Sequence, residues 1–470
     1  MRNKMNWPTT LTINAWTGPQ GQPSAPLDPH QAASWAVKGK LQEIPRLLAA
    51  PEPADLRDWF DAAVGWGLVL PENEGVSEKD RALALDAPEP IRELVAARNQ
   101  APVFRYRKDL NNRFLRRYYV DHSPRDIAVS GSPRGTGDQC LPRYLLIYGT
   151  PGEVSWSLQY VLNNAAFVGR IDLTGDGLKR YIDALLNNWA EAACRPEQPV
   201  VWAVDHGHPD ITWLMRGAIA TPIAKKLAED NQIGDNLRSL AGADATSQSL
   251  SRTLKDRRPA LIVTTSHGMT GPLNNPTLMA QQLGWLVDHD YALLDPAALL
   301  SEWQPDGAVW YAHACCSAGS DDQSGYLGLV AEGSTVAETL AAVAGLGARV
   351  APLPRLLLGA EKPLRAFIGQ VEPTFDWTLR QPETGQVLTA SLQNAVYNRM
   401  HRKRPEPVGL AFEECYRHVG ELLSQWNQAL RQVARGIEGA ELAALRTQLT
   451  ALDRQSMVIL GDPTACLPPL

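Results

Sequence analysis

Two apolar segments of this 470-residue chain end in side chains that can do nucleophilic chemistry. The segment ALIVTTSHGMTG, residues 260–271, delivers an imidazole at His267. The segment AVWYAHACCSAGS, residues 308–320, delivers two thiols, at Cys315 and Cys316. A thiol attacks a carbonyl carbon as the thiolate, and a nearby imidazole can take the thiol proton and later protonate the departing amine. Together the two segments predict acyl-transfer chemistry.

The spacing of the two segments fits that chemistry. An attack on a carbonyl creates an oxyanion that needs backbone N–H donors, and glycine lets the main chain approach closely. Gly268 directly follows His267, and Gly319 lies four residues after Cys315. The 48 residues between His267 and Cys315 leave room for one crossover helix. We therefore expect two adjacent parallel strands with the imidazole and the thiol at their carboxyl ends, although a single buried histidine or cysteine is usually a core residue.

Several short apolar runs alternate with helical patterns through the remainder of the chain. This alternation is typical of an α/β fold with a mostly parallel central sheet covered by helices on both faces. Ligands of such sheets bind beyond the carboxyl ends of the strands. The runs predicted as strands are residues 144–149, 199–207, 259–268, 308–314, 364–369 and 457–463, and the clearest helical patterns are residues 177–193 and 211–230.

Two regions are expected from the distribution of turns and periodic segments. Residues 1–125 are predicted to form an N-terminal accessory region that is mostly helical, with residues 1–30 irregular. The turn-rich stretch at residues 123–142 marks the boundary, and residues 126–470 form the second, larger domain. Within it, residues 411–456 carry a helical hairpin pattern inserted before the last strand.

Composition excludes several classes of protein. A net charge of −6 gives no electrostatic basis for nucleic acid as the main partner. The six cysteines show no CxxC spacing, which argues against a disulfide framework and a zinc ribbon. The first residues lack the apolar stretch of a signal peptide, and no run approaches 18 apolar residues, so we expect no membrane span. The expected compartment is the cytoplasm, where a thiol stays reduced.

The chain resembles the caspase-like (clan CD) cysteine peptidases, and more closely their gingipain-like and CHAT-type members. An apolar strand ending in His-Gly, followed about 50 residues later by an apolar strand ending in Ala-Cys, is the pattern of that group. The similarity covers roughly residues 140–470, and residues 1–120 lie outside it. It rests on residues 144–172, 242–269, 313–320, 364–377 and 457–468.

The resemblance implies a caspase-hemoglobinase fold and a cysteine endopeptidase that works through an acyl-enzyme. It carries over His267 as the imidazole and Gly268 as a backbone donor to the oxyanion. For the nucleophile, an Ala-Cys pattern followed by Ala-Gly selects Cys315, whereas a Cys-x-x-Gly variant selects Cys316; we favour Cys315. No metal or cofactor is implied. The resemblance further suggests a bacterial protease. Because an uncontrolled cytosolic protease is hazardous, we expect it to be regulated by cleavage, by blocking of the crevice or by a partner protein.

Acidic residues near the proposed site suggest what the enzyme cleaves. Asp205, Asp210, Asp321 and Asp322 all follow predicted strands of the sheet. An acidic pocket recognises arginine or lysine through charge-assisted hydrogen bonds. We therefore expect a protein or peptide substrate cleaved after a basic residue.

Two alternative functions remain open from the sequence. The fold could serve as a catalytically silent binding or scaffold module, although the presence of both His267 and Cys315 argues against it. A metal-dependent hydrolase could use His206, His208 and Asp210, which open a metal-hydrolase pattern. That set is followed by an isoleucine where a further ligand would be expected, and no later histidine cluster completes it.

Overall fold

The structure is a computed structural model that describes residues 7–19, 21–38, 54–380 and 385–470. Its strands, β1 to β19 in chain order, are Thr10–Thr12, Ala15–Trp16, Ser24–Pro26, Trp66–Pro71, Val103–Tyr106, Phe114–Arg117, Arg125–Ala128, Tyr144–Tyr148, Phe167–Ile171, Val200–Ala203, Arg238–Ala241, Leu261–Thr265, His267–Met269, Leu286–Val287, Val309–His313, Gly319–Ser320, Arg349–Val350, Ala366–Gln370 and Met457–Gly461. Its α-helices, α1 to α16, are Pro29–Lys38, Glu78–Ala82, Glu89–Ala97, Trp156–Asn163, Gly175–Leu186, Ile211–Met215, Thr221–Ala228, Ser247–Arg257, Pro276–Gln282, Pro296–Glu302, Thr335–Gly345, Pro352–Leu358, Ala390–Gln393, Val408–Ala411, Glu413–Val433 and Ala440–Gln455.

A twelve-stranded sheet forms the centre of the molecule, in the order β11-β10-β12-β15-β18-β19-β9-β8-β4-β5-β6-β7. Most neighbouring strands are parallel; the antiparallel pairs are β18 with β19, β5 with β6, and β6 with β7. Every residue of β10, β12, β15, β18 and β19 is buried. This burial follows from helices covering both faces, and it explains why these strands are almost continuously apolar. The chain is therefore a mixed α/β protein with a large, mostly parallel central sheet flanked by helices.

The direction of the strands reverses in the middle of the sheet. Since β19 is antiparallel to β18 but parallel to β9, the strands on either side of this junction end at opposite edges. The ends of β10, β12, β15 and β18 share one edge. The ends of β4, β5, β8 and β9 share the other, where they line an open cavity of about 830 Å³. The site predicted from the sequence belongs to the first edge.

The first 125 residues differ from the predicted, mostly helical accessory region. Strands β4 to β7 join the same sheet as the rest of the chain, through pairing of β4 with β8. The predicted boundary at residues 125/126 therefore falls inside a strand of the central sheet. The segments involved are only four to six residues long, and a short apolar run fits a buried strand or a buried helix equally well. Residues 10–26, expected to be irregular, contain the short strands β1, β2 and β3.

Helices α15 and α16 occupy the region for which a helical hairpin is predicted, directly before β19. Each carries an apolar stripe at helical spacing: Tyr416, Val419 and Leu423 on α15, and Leu445 and Leu449 on α16 are all buried. Stripes of this kind bury one face of each helix against a neighbour, and the two helices contact each other along their length. Among the described residues, no helix has both the length and the hydropathy needed to cross a bilayer.

Candidate functional site

Strands β12 and β15 are parallel neighbours, and they bring the two reactive segments together. Thr265 at the end of β12 lies opposite His313 at the end of β15. One residue further, the N–H of Ser266 donates to the carbonyl of His313 at 3.3 Å. The chain then enters β13, which begins with His267 and pairs antiparallel with β14. The imidazole segment and the thiol segment thus leave the sheet side by side.

Gly268 packs directly against the main chain of Cys315. A methyl group on the Cα of Gly268 would lie 1.9 Å from the carbonyl oxygen of Cys315 and 2.9 Å from its nitrogen. A second glycine, Gly284, plays the same role toward Cys316, whose carbonyl oxygen would be 2.2 Å from an added methyl. The Cys315–Cys316 peptide is therefore held between two positions that accept only glycine. This close approach is the observation that joins the two segments in space.

The two cysteines form the corner of a tight turn after β15. The N–H of Ser317 donates to the carbonyl of Ala314 at 3.2 Å, which closes the turn around them. Cys316 has a φ of 55°, a left-handed conformation that is uncommon for a residue other than glycine. Residues held in such conformations cluster at functional sites, where the surrounding structure maintains them.

The two thiols face different surroundings. The sulfur of Cys315 accepts a hydrogen bond from the N–H of Thr374 at 3.2 Å. Burial raises the pKa of the Cys315 thiol far above its usual range, although hydrogen bonds from Thr374 and Asn14 lower it. Burial also raises the pKa of the Cys316 thiol, and the nearby carboxyl of Glu372 adds to that increase. The Cys315 sulfur thus has main-chain donors next to it, whereas a buried carboxyl lies near the Cys316 sulfur.

A carboxylate orients the imidazole of His267. The side chain is fully buried, and its Nε2 lies 3.0 Å from Oδ2 of Asp210. Its other nitrogen, Nδ1, is buried without a hydrogen-bond partner among the described residues. Since a carboxylate only accepts, Nε2 carries the proton in the hydrogen-bonded pair and Nδ1 is left as the basic atom. The contact with Asp210 thus fixes the orientation of the ring and leaves Nδ1 free to accept a proton.

Asp210 is held in its ionised form. Burial raises its pKa, but the hydrogen bond and positive charge of His267, together with hydrogen bonds from Thr212, outweigh that effect and bring the pKa to about 2. Asp210 is also the N-cap of α6, where its side chain accepts from the N–H of Thr212 at 2.8 Å. This N-cap contact fixes the position of the Asp210 carboxylate relative to α6. Because α6 and β13, the strand that carries His267, are both parts of the buried core, the carboxylate is also fixed relative to the imidazole.

Four aromatic rings stack next to Asp210. His206 lies 5.6 Å from His267 and 4.1 Å from Tyr291, measured between ring centroids. Trp16 stacks on His267 at 5.6 Å and on Tyr291 at 4.5 Å. Burial lowers the pKa of His206, and the neighbouring His267 lowers it further. The stack keeps water away from one face of the His267 imidazole.

Two of the three metal ligands considered from the sequence, His206 and Asp210, lie close together in the structure. His206, Asp210 and His267 each offer a ligand atom, and the three atoms lie within 4.8 Å of one another. His208 does not take part: it is exposed and packs edge-on against Trp213 at 5.4 Å. The sequence set of His206, His208 and Asp210 is therefore corrected, with His267 in the place of His208. The reason is that Gly207, between the two histidines, has a φ of 81°, so the chain turns there and the two side chains do not share a side as they would in an extended strand.

The four acidic residues expected in the substrate pocket have separate roles. Asp205 pairs with Arg216 at 2.6 Å, and Asp210 pairs with His267. Asp321 follows β16, and burial raises its pKa to about 6. Asp322 is its exposed neighbour, which donates its N–H to the Asp321 carboxylate at 2.9 Å. Two of the four charges are thus already neutralised by partners.

Three residues of the site were missed at the level of sequence. Thr374 follows β18 and reaches the sulfur of Cys315 with its N–H. Asn14 and Trp16 belong to the N-terminal region, and they contact the thiol segment and the imidazole respectively. No motif marks these positions, because two of them act through main-chain atoms that any residue possesses.

Comparison with known proteins adds no further assignment. Neither the collection of protein-family profiles nor the curated proteins contains a match to this sequence.

Proposed function

We propose that the chain is a cysteine endopeptidase with a caspase-hemoglobinase fold, in which Cys315 is the nucleophile and His267 the general base. The observation that carries the proposal is the contact of Gly268 with the Cys315 main chain at the shared carboxyl edge of β12 and β15. The imidazole that precedes this glycine is oriented by Asp210. A thiol, an oriented imidazole and backbone donors are the parts that peptide-bond hydrolysis through an acyl-enzyme requires, and here they come from two segments in main-chain contact.

The proposed mechanism assigns a role to each group. Nδ1 of His267 takes the thiol proton, which the high pKa of the buried Cys315 keeps on the sulfur until a substrate is bound. The ionised Asp210 stabilises the imidazolium that results. The N–H of Gly268 donates to the oxyanion on the substrate carbonyl, and the imidazolium then protonates the leaving amine. Water hydrolyses the thioester by the reverse sequence of proton transfers.

The proposed substrate is a protein or peptide cleaved after a residue whose side chain donates hydrogen bonds. The basic residue expected from the sequence belongs to this class, with Asp205, Asp321 and Asp322 as the acidic groups to test. Profiling with a peptide library measures this preference, and a sharp preference for aspartate or apolar residues contradicts it. The proposed compartment is the cytoplasm, and a regulatory partner protein belongs to the proposal.

Thiol substitution is the direct test. We expect Cys315→Ala to abolish peptide cleavage and covalent labelling by a peptidyl acyloxymethyl ketone, with the fold intact by circular dichroism. Cys316→Ala is the matched control one residue away, and we expect it to keep substantial activity because its thiol faces Glu372. Covalent labelling of Cys315 that is lost when His267 is substituted indicates a peptidase, whereas a catalytically silent scaffold shows no such dependence. Full activity of the Cys315→Ala protein refutes the assignment.

A second candidate function is metal-dependent hydrolysis, favoured by the convergence of His206, Asp210 and His267. Two imidazoles and one carboxylate form a common ligand set of catalytic zinc, which leaves one position for water. The two candidates use the His267 imidazole differently, as a proton acceptor in the peptidase and as a metal ligand in the hydrolase. Activity that survives iodoacetamide but is lost with a chelator selects the metal hydrolase, and the opposite pattern selects the peptidase.

A further inference from the structure

The crevice at the candidate site is filled by the chain itself. The N-terminal segment, defined as residues 10–17, runs between β13 and the chain that follows β18. Ile13 forms an antiparallel bridge with Phe375, and Ala15 pairs in parallel with Gly268. The segment therefore adds a strand to both walls of the crevice, which is the way in which an extended peptide binds to open strand edges.

Asn14 lies at the centre of this segment, next to the proposed reaction point. Its N–H donates to the carbonyl of Thr374 at 3.0 Å, and its carbonyl oxygen accepts from the N–H of Gly268 at 3.5 Å. The main chain of Asn14 also acts on the thiol of Cys315, whose pKa it lowers. The carbonyl of Asn14 thus meets the donor that we assign to the oxyanion, while its main chain touches the nucleophile.

The side chain of Asn14 is held in a pocket of its own. The residue is fully buried, and its Nδ2 donates to the carbonyl of Ser266 at 2.9 Å and contacts the sulfur of Met215 at 3.2 Å. Both groups accept hydrogen bonds, so the pocket suits a side chain that donates them. One residue further, Trp16 stacks on the imidazole of His267. The N-terminal segment therefore occupies the subsite, the oxyanion donor and the face of the base together.

We propose that the N-terminal segment is the first substrate of this chain, which cleaves its own Asn14–Ala15 bond. The inference rests on the proposed peptidase function. In the first step the sulfur of Cys315 bonds to the carbonyl carbon of Asn14, and the bond from that carbon to the nitrogen of Ala15 breaks. The thiol proton passes through His267 to the Ala15 amine, and water then hydrolyses the thioester to free the Asn14 carboxylate and the thiol.

The contacts on either side of the Asn14–Ala15 bond explain why its cleavage would open the crevice. Residues before the bond are held by the pairing of β1 with β3, whereas residues after it are anchored through α1, where the indole N–H of Trp426 donates to the carbonyl of Ala36 at 2.9 Å. Cleavage removes the covalent link that keeps Asn14 in the crevice and leaves the body of the molecule in place. The crevice then opens to other peptides by dissociation of one short strand.

The experiment follows the mass and the N-terminal sequence of the purified full-length chain under denaturing conditions, so that a retained fragment is separated. We expect loss of residues 1–14, a new N-terminus at Ala15, and a rate independent of protein concentration. We expect Cys315→Ala to stay intact and Asn14→Ala to be cleaved at least tenfold more slowly. Ser24→Ala, an exposed position on the same hairpin, is the matched control and is expected to be cleaved at the wild-type rate.

The outcomes separate the two proposals. A chain that stays intact while Cys315 reacts with the acyloxymethyl ketone and hydrolyses added peptides overturns self-cleavage and leaves the peptidase function standing. Cleavage at another bond, or cleavage that persists in Cys315→Ala, also overturns self-cleavage. A chain that is intact, unlabelled and inactive on every peptide overturns the peptidase function as well.

Discussion

The role of Asp210 gives the sharpest quantitative prediction. The net reduction in the pKa of Asp210, from 3.8 to about 2, measures how strongly its surroundings favour the carboxylate. Two pKa units correspond to roughly 2.5 kcal/mol, and Thr212 contributes part of this through its hydrogen bonds, so we assign on the order of half to His267. Asp210→Asn removes this charge from the imidazolium that forms during catalysis. The expected decrease in kcat/KM is about 10-fold, with ~100-fold as the upper limit.

Asparagine isolates the charge, since it is also a good N-cap and keeps an acceptor for the N–H of Thr212. The assay is steady-state hydrolysis of a fluorogenic peptide, and Asp295→Asn is the matched control. Asp295 is also a helix N-cap, of α10, where it accepts from the N–H of Ala297, and the proposed mechanism gives it no role, so we expect less than a twofold change. Equal losses in the two variants, or full activity of Asp210→Asn, refute the assigned role.

The same substitution predicts a pH dependence of stability. The folded-state pKa of Asp210 is depressed, so its contribution to the free energy of unfolding is fully present above pH ~4 and is lost as the pH falls toward 2. The difference in urea stability between wild type and Asp210→Asn should therefore shrink over that window. A difference that grows toward pH 2 contradicts the reasoning.

Two further predictions concern stability. Burial raises the pKa of Glu372 to about 7, so Glu372 should lower the free energy of unfolding as the pH rises from ~4.5 to ~7. Buried Asp376 and Asp453, whose pKa values are also raised to about 7, add to this decrease. Glu372→Gln should therefore make the decrease smaller, by on the order of 2–3 kcal/mol at pH 8 in urea titrations. An unchanged pH profile contradicts this expectation. Placing an alanine in the left-handed conformation of Gly284 costs ~1–2 kcal/mol. Gly284→Ala should lower the free energy of unfolding by more than this, because its methyl also meets the carbonyl of Cys316. Gly436→Ala, with a similar φ of 67° and open space around it, is the control, and equal losses in thermal denaturation show that the contact at Gly284 has no effect.

The sequence predicted β10, β12, β15 and β18, because these strands are buried on both faces and read as apolar runs; it missed their partly exposed neighbour β11. It did not predict β4 to β7, whose short segments do not distinguish strand from helix. The pairing of β12 with β15, expected from the 48-residue spacing, is present in the structure. The contacts of Asn14 and Thr374 could not be predicted, since they run through main-chain atoms of segments far apart in the sequence. Asp210 was identified as a residue of the site, but its hydrogen bond to His267 depends on a loop conformation that no local pattern specifies.

The reversal of strand direction between β18 and β19 places the candidate site and the large cavity at opposite edges of the sheet. Anything that enters the large cavity beside β4 and β8 lies at the opposite edge of the sheet from the thiol, roughly 16 Å away along the strands and a further ~19 Å sideways, since β8 is four strands from β15. A molecule there cannot touch a peptide at Cys315. Its influence would have to pass lengthwise through the strands β9, β19 and β18, whose tightly packed side chains move little except together.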